Sequence, residues 1–292
     1  MRYQIVHTTR FVHDAEVSAS HHVARLEPRQ YPGQACVEHA LSISPAPRQR
    51  SVRVDYFGNR TATFSVESPY RTLEVTARSV VERSVPDAEL DLGSAAWDDV
   101  HAGVTASTPE SPEWGAREYV CPSPLVARSP DLADYARQFF SPGCPLAEAA
   151  GLLMGAIHRD FAFDPTATTV ATPLDEVFRM RRGVCQDFAH LMIGCLRSLG
   201  LPARYVSGYI ETLPPPGAPK LVGVDASHAW VSVFCPPYGW VDLDPTNDGR
   251  ASERHIAVAW GRDFSDVSPL RGIFVSSGHH DLQVAVDVTR LE

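Results

Sequence analysis

Three side chains in the second half of the chain have the types that nucleophilic catalysis requires: Cys185, His228 and Asp244. A thiol can attack a carbonyl carbon, an imidazole can accept the thiol proton, and a carboxylate can orient the imidazole. The chain has six cysteines and twelve histidines, so residue type alone selects none of them. The choice depends on the local pattern around each residue.

Cys185 lies at the start of a predicted helix. Gly183 separates this helix from the preceding segment, and Gly200 and Pro202 end it. Between these breaks, apolar residues recur every three or four positions, as on one helix face: Phe188, Leu191, Met192, Cys195, Leu196 and Leu199. Free N–H groups in the first turn favour negative charge, so we expect them to stabilise a thiolate at Cys185 and a developing oxyanion.

His228 and Asp244 lie in a predicted hairpin. The alternating run 228–234 predicts one strand, residues 236–239 predict a turn, and 240–243 predict the next strand, antiparallel to the first. This pairing would bring Asp244, at the end of the second strand, beside His228 at the start of the first. Asp242 is an alternative orienter, which we expect strand alternation to point away from Asp244 and its neighbours.

The three motifs together resemble the transglutaminase-like superfamily, which has a papain-like core. They are Gly-Val-Cys-x-Asp-Phe-Ala (183–189), His-Ala-Trp (228–230) and Gly-Trp-x-x-x-Asp-Pro-Thr (239–246). A closer resemblance is to bacterial transglutaminase-like proteins often described as cysteine proteases. It extends to residues 204–209, 225–230 and 261–272, and to Asp-x-Phe-Gly-Asn (55–59) in their N-terminal β domain.

This resemblance implies an α+β fold, with an N-terminal antiparallel β-sandwich followed by a papain-like core of helices packed on an antiparallel sheet or barrel. It assigns Cys185 as the nucleophile, His228 as the base and Asp244 as the orienter. No member of the triad is missing from the sequence.

Five further residues are candidates for substrate binding or for support of the triad: Asp187, His190, Tyr209, Trp230 and Trp240. Asp187, in the first helical turn, fits a cap or dipole partner better than a catalytic group. His190 could line the pocket or be a core histidine. We expect the two tryptophans mainly to bury apolar surface in the core or the cleft wall, and only secondarily to select substrate. His21 and His22 are adjacent in a strand and face opposite ways, so we expect surface histidines there.

Composition restricts the partners. The net charge of −9 argues against a nucleic-acid partner. No apolar run approaches the ~20 residues that span a bilayer, and the N-terminus has no apolar leader, so we expect no membrane contact and a cytoplasmic location. The scattered cysteines fit neither a disulfide framework nor a zinc ribbon. The predicted chemistry uses no cofactor and no metal ion.

The pattern divides the chain into three parts. Alternating strands and turns at a spacing of roughly ten residues predict a β-sandwich over residues 1–85. Residues 86–128, rich in proline, serine and acidic residues, predict a connecting segment. Residues 129–292 are predicted to form the catalytic core, closed by a strand over 281–290.

The predicted function is that of a thiol-dependent acyl-transfer enzyme. It would cleave a peptide or amide bond in a peptide or protein substrate through an acyl-enzyme. Two alternatives stay open: a protein-glutamine transglutaminase, in which an amine resolves the acyl-enzyme, and a non-catalytic binding module.

Overall fold

The computed structural model describes residues 1–84, 93–212 and 227–291. The strands are β1 Arg2–Val17, β2 Ala19–Ala24, β3 Gln34–Ser44, β4 Gln49–Val54, β5 Arg60–Val66, β6 Tyr70–Arg83, β7 Ala162–Phe163, β8 Arg182–Gly183, β9 Ala203–Ile210, β10 Ser227–Phe234, β11 Trp240–Asp244, β12 Gly249–Arg250, β13 His255–Gly261, β14 Leu270–Val275 and β15 His280–Arg290. The helices are α1 Trp97–Ala106, a 3-10 helix Trp114–Val120, α2 Pro130–Arg137, α3 Leu146–Asp160, α4 Leu174–Met180, α5 Cys185–Ser198 and α6 Phe264–Val267. None of the helices in these ranges is long and apolar enough to cross a bilayer.

The predicted N-terminal β-sandwich consists of two four-stranded sheets, ordered β15-β1-β6-β3 and β14-β2-β5-β4. Along β1, buried and more exposed residues alternate, because successive side chains of a strand point to opposite faces. Phe11, Phe64, Leu73 and Val75 belong to the apolar cluster of this domain.

The C-terminal strands complete this sandwich, which corrects the predicted core boundary of 129–292. Strand β15 pairs with β1, so that Leu282 lies opposite Phe11, and β14 pairs with β2, so that Ile273 lies opposite His21. Alternation over 281–290 identifies a strand but carries no information about its partner. The sandwich is therefore built from both ends of the chain.

The described part of the predicted connecting segment also belongs to a packed domain. Val100 and Val104 of α1, together with Val126, are buried in the same apolar cluster as helices α2, α3 and α5. Proline- and serine-rich composition indicated a linker, but these three valines supply an apolar surface that the core covers.

The core contains a five-stranded antiparallel sheet, ordered β12-β11-β10-β9-β13, with α5 packed against it. Apolar residues of α5 and of β10, such as Leu191 and Val231, share one buried cluster. Arg197 on α5 is fully buried and donates hydrogen bonds to the carbonyls of Tyr119, Ala203 and Arg262. The α+β class and the sandwich-then-core order predicted above are confirmed.

Two side-chain amides join the sandwich to the core sheet. The Gln34 amide donates to the Ala257 carbonyl at 2.7 Å and accepts from the Ala257 N–H at 2.9 Å. Asn59 makes the same pair of bonds with Trp260, at 2.9 and 3.0 Å. Each amide thus occupies the backbone groups of β13 as a neighbouring strand would. The two domains are held in a fixed orientation at these points.

Candidate active site

Cys185 is the first residue of α5, as predicted, and Asp187 holds this helix start in place. The Asp187 carboxylate accepts from the Val184 N–H at 2.9 Å and from the Thr168 hydroxyl at 2.7 Å. Gly183 leaves the room for this carboxylate, because a Cβ there would lie 2.6 Å from Asp187 Oδ2. Asp187 therefore acts on the backbone just before the thiol.

The hairpin of β10 and β11 brings His228 and Asp244 together. Val231 lies opposite Leu243 in the register of this pair. His228 Nε2 lies 2.7 Å from Asp244 Oδ2, and both side chains are buried. The Cys185 thiol and the His228 ring line the same cleft, and their interaction contributes to raising the pKa of His228. Because Nε2 faces Asp244, the imidazole has Nδ1 available for the sulfur.

Asp244 is fully buried and is surrounded by N–H donors. Its Oδ1 accepts from the backbone N–H groups of Thr246 and Asn247. Its Oδ2 accepts from the Asn247 side chain at 2.6 Å, from His228, and from His255 Nε2 at 3.1 Å. Hydrogen bonds of this number are what a buried carboxylate needs in order to stay ionised.

His255, on β13, was not predicted to belong to the site. Its hydrogen-bond partners determine its tautomer. The Ser252 N–H donates to His255 Nδ1 at 3.0 Å, so Nδ1 carries no proton. The proton of the neutral ring is therefore on Nε2 and is donated to Asp244. In the sequence, the only local indication that His255 contacts Asp244 is its place as a polar residue at the start of a strand that follows a turn.

The charges of the pair are fixed by these contacts. Burial acts to lower the pKa of His228, but hydrogen bonds to Asp244 and Cys185 outweigh it and raise the pKa to about 9. Burial acts to raise the pKa of Asp244, but the hydrogen bonds from His228, His255 and Asn247 hold it far below its usual range. At neutral pH the site therefore contains an imidazolium beside a carboxylate.

His228, Asp244 and His255 also form the one group of potential metal ligands in the described ranges, with ligand atoms within 4.8 Å of one another. The two nitrogen–oxygen distances of 2.7 and 3.1 Å are those of direct hydrogen bonds. Zinc would need each ligand atom at roughly 2.0–2.2 Å from a common centre. The geometry favours protons rather than a metal ion between these residues.

The prediction that strand alternation points Asp242 away from the face of Asp244 was wrong. Residues 242 and 244 are two apart on one strand, so they share a face. Asp242 accepts a hydrogen bond from the Trp230 indole N–H at 3.2 Å, whereas Asp244 accepts from His228. Position along the strand, and not its face, separates the two carboxylates.

The other candidates lie behind the site. His190 is buried and accepts from the Phe264 N–H. Tyr209 bonds His7 Nδ1 at 2.9 Å. Trp230 is fully buried behind His228, and Trp240 packs edge-on against Tyr119. None of these four, nor Asp187, lines the cleft that contains the thiol.

That cleft, called the thiol cleft below, has a volume of about 480 Å³. It is lined by Cys185, Gln186, Val184, Val170, Tyr205, Ser207, Ser227, His228, Ala229, Phe264, Ser268, Pro269 and Leu270, and on the opposite side by His7, Thr9, Phe11, Leu282 and Val284. The second group belongs to the sandwich strands β1 and β15. No residue of the N-terminal domain was predicted to belong to the site.

These features define a class of protein: a sandwich attached to a helix-on-sheet core, with a thiol and an imidazole at one cleft and a buried carboxylate bonded to the imidazole. Residues 133–245 match the model of the transglutaminase-like superfamily, and residues 3–82 match the bacterial transglutaminase-like N-terminal region. The chain belongs to the transglutaminase-like superfamily.

Particular relatives agree with this assignment. An uncharacterized protein of Mycobacterium tuberculosis H37Rv is 40% identical over 300 residues, covering 100% of this chain and 93% of that protein. A protein-glutamine gamma-glutamyltransferase of Pseudomonas aeruginosa PAO1 is 39% identical over 122 residues, covering 41% of this chain and 18% of that protein. A solved structure from Cytophaga hutchinsonii, named "Putative Cysteine Protease", superposes with a TM-score of 0.76 at 19% identity, covering 100% of this chain and 92% of that one. At that identity the match supports the fold alone.

Proposed function

We propose that the protein is a thiol-dependent acyl-transfer enzyme that cleaves a peptide or amide bond. The observation that carries the proposal is the placement of His228, which is hydrogen-bonded to the buried carboxylate of Asp244 and lines the same cleft as Cys185. Such a unit activates a thiol, orients the base and stabilises the imidazolium that forms.

In the proposed reaction, the Cys185 sulfur attacks the carbonyl carbon and its proton resides on His228. The N–H of Cys185, at the start of α5, stabilises the oxyanion. The carbon–nitrogen bond then breaks, and His228 gives its proton to the leaving amine. Water attacks the thioester carbon and His228 takes a proton from that water; the carbon–sulfur bond then breaks, which releases the carboxylic acid and restores the Cys185 thiolate beside the His228 imidazolium. Asp244 stays ionised throughout.

The first test is reaction with iodoacetamide at about pH 6, where an ordinary thiol is almost fully protonated. We expect rapid alkylation at Cys185 and its loss in Cys185→Ala and in His228→Asn. The matched control is Cys121→Ala, because Cys121 is exposed and distant in sequence from the site. Equal alkylation of Cys121 and Cys185 would remove the basis for an activated thiol.

Amine transfer is the second candidate, and the Pseudomonas aeruginosa relative, named a protein-glutamine gamma-glutamyltransferase, favours it. The two reactions share the acyl-enzyme and differ in what resolves it. A glutamine-containing protein is incubated with the enzyme and a fluorescent primary amine. Incorporation that depends on Cys185 would indicate transfer, and release of ammonia or of a cleaved peptide without incorporation would indicate hydrolysis.

A further inference from the structure

The thiol cleft has two walls that come from different domains. Cys185 and His228 belong to the core wall. The other wall belongs to the β1–β15 strand pair, where the buried Phe11 lies opposite the exposed Leu282 and the buried Thr9 lies opposite the exposed Val284. All four residues lie on one face of the sheet, because the two cross-strand pairs are two positions apart along each strand. The sandwich thus completes the cavity into which the sulfur opens.

This wall is apolar. Leu282 and Val284 are 57% and 50% exposed, although both are aliphatic, and Phe11, Leu270 and Phe264 lie around them. Exposed aliphatic side chains grouped at a cavity mark a binding surface more often than chance exposure. Their direct continuity with the Cys185 sulfur makes the substrate's acyl portion the occupant.

Apart from His228 beside the thiol, the described lining of the cleft offers no charged side chain. Among the residues of the described ranges that line it, none is Asp, Glu, Lys or Arg. His7 is the ionisable residue of the sandwich wall, and its two nitrogens are 2.9 Å from the Tyr209 hydroxyl and 3.0 Å from the Thr9 hydroxyl. Burial lowers the pKa of His7 to about 4, so this ring is neutral at physiological pH.

We infer that the thiol cleft selects an uncharged, apolar acyl group, meaning an aliphatic or aromatic side chain on the acyl side of the scissile bond, and that Leu282 and Val284 of the sandwich determine this selection. This inference rests on the proposed acyl-enzyme function. Against the sandwich wall, away from His228, a charged side chain would lose hydration without gaining a partner, and an apolar one would bury its surface. The N-terminal domain is then a specificity element.

The test uses four N-acetyl amino acid p-nitrophenyl esters, with Leu, Phe, Glu or Lys side chains. The full-length protein is reacted with each, and the acyl adduct on Cys185 is followed by mass and by release of nitrophenol. We expect the Leu and Phe esters to acylate Cys185 about tenfold or more faster than the Glu and Lys esters. Leu282→Asp should favour the Lys ester and Leu282→Lys the Glu ester.

The matched control is Ile273→Asp on the neighbouring strand β14. Ile273 is 69% exposed and does not line the thiol cleft, so its substitution should leave the ester preference unchanged. A reciprocal change between the two Leu282 variants cannot arise from misfolding. Equal acylation by all four esters, or the same preference in Leu282→Asp and Ile273→Asp, would overturn the inference while leaving the acyl-enzyme intact. Failure of every ester to modify Cys185 would instead overturn the proposed function, and the inference with it.

Discussion

At the residue scale, the site is organised around the Asp244 carboxylate. Each of its oxygens accepts at least two N–H groups, from His228, His255, Asn247 and the backbone after it. A carboxylate is the acceptor-only group that this arrangement requires, since every neighbour is a donor. Asp244 therefore contributes both its negative charge, which helps to raise the pKa of His228, and a side chain without any donor.

Asp244→Asn tests this arrangement. In either orientation, the new NH2 group would face an N–H donor, so the fold should lose about 2–4 kcal/mol. When the NH2 takes the place of Oδ2, His228 Nε2 must accept from it, which moves the ring proton to Nδ1, and Nδ1 then cannot accept the thiol proton. We expect the acylation rate to fall about 10²- to 10⁴-fold. Rates with a fluorogenic amide and urea unfolding measure the two effects.

The matched control is Asp242→Asn on the same strand. Its side-chain oxygen can still accept from the Trp230 indole N–H, so activity and stability should stay close to those of the wild type. Equal losses in the two variants would show that any amide on β11 disturbs the site, and the donor arrangement around Asp244 would lose its significance.

His255 is expected to position Asp244. His255→Leu removes the donor to Asp244 and leaves the Ser252 N–H without its acceptor, which should cost about 1–3 kcal/mol of unfolding free energy. With one donor fewer, the carboxylate should hold the imidazolium of His228 more strongly. The alkaline limb of the pH–rate profile, near the His228 pKa of about 9, should then move to higher pH. His255→Gln can make both bonds and should restore the wild-type profile. An unshifted limb in His255→Leu would reduce His255 to a packing residue.

At the element scale, the start of α5 is set by Gly183 and Asp187. Gly183→Ala would place its Cβ 2.6 Å from Asp187 Oδ2 and 2.8 Å from its Cβ. The carboxylate must then move away from the Val184 N–H, and the first turn that carries Cys185 moves with it. We expect about 1–3 kcal/mol of lost stability and a fall of about tenfold or more in iodoacetamide alkylation.

Gly151→Ala, in α3, is the control for this substitution. A Cβ at Gly151 meets nothing within 4 Å, so helix propensity alone should stabilise the protein by about 0.5–1 kcal/mol. A neutral effect of Gly183→Ala on alkylation would mean that the cap does not position the sulfur.

Local patterns predicted the elements that hold the triad, and failed where contacts are distant in sequence. Helical spacing placed Cys185 at a helix start, and a short turn was enough to pair the strands of His228 and Asp244. His255 reaches Asp244 from β13, which no local pattern places beside β11. Strand alternation identified β15 but not its pairing with β1, and it predicted His22 on the surface. His22 is instead buried, because its neighbour Phe64 comes from another strand.

At the scale of the whole molecule, burial of neutral histidines ties stability to pH. His22 stacks on Phe64 with ring centroids 4.8 Å apart, and neither of its ring nitrogens has a partner in the described ranges. Burial, together with the nearby histidines His21 and His13, lowers the pKa of His22 to about 4. Burial likewise lowers the pKa of His7 to about 4.

The sign of the effect follows from these shifts. As pH falls through about 6.5, these histidines bind protons in the unfolded chain but not in the folded one, so unfolding becomes more favourable until the folded-state pKa near 4 is reached. Asp244 affects stability at lower pH. Its lowered pKa stabilises the folded state above the ordinary carboxyl pKa of about 4, and this stabilisation is lost only as pH falls below that value. His228 has a raised pKa, so its contribution is complete below about pH 6.5 and is lost as pH rises toward 9. The interval from pH 6.5 to 5.0 therefore isolates the buried histidines.

We expect the unfolding free energy to fall as pH decreases from 6.5 to 5.0, with His22 contributing about 1 kcal/mol of the loss. His22→Phe keeps the ring and removes the ionisable nitrogens, so the loss should become smaller by that amount. The control is His279→Asn, at an exposed histidine of the same domain, which should retain the wild-type dependence. Urea unfolding at the two pH values measures all three proteins. The same slope in His22→Phe and the wild type would mean that His22 is not kept neutral by the sandwich. A reduced slope would show that the interior of the sandwich, and not the helix-on-sheet core alone, limits the stability of the protein in acid.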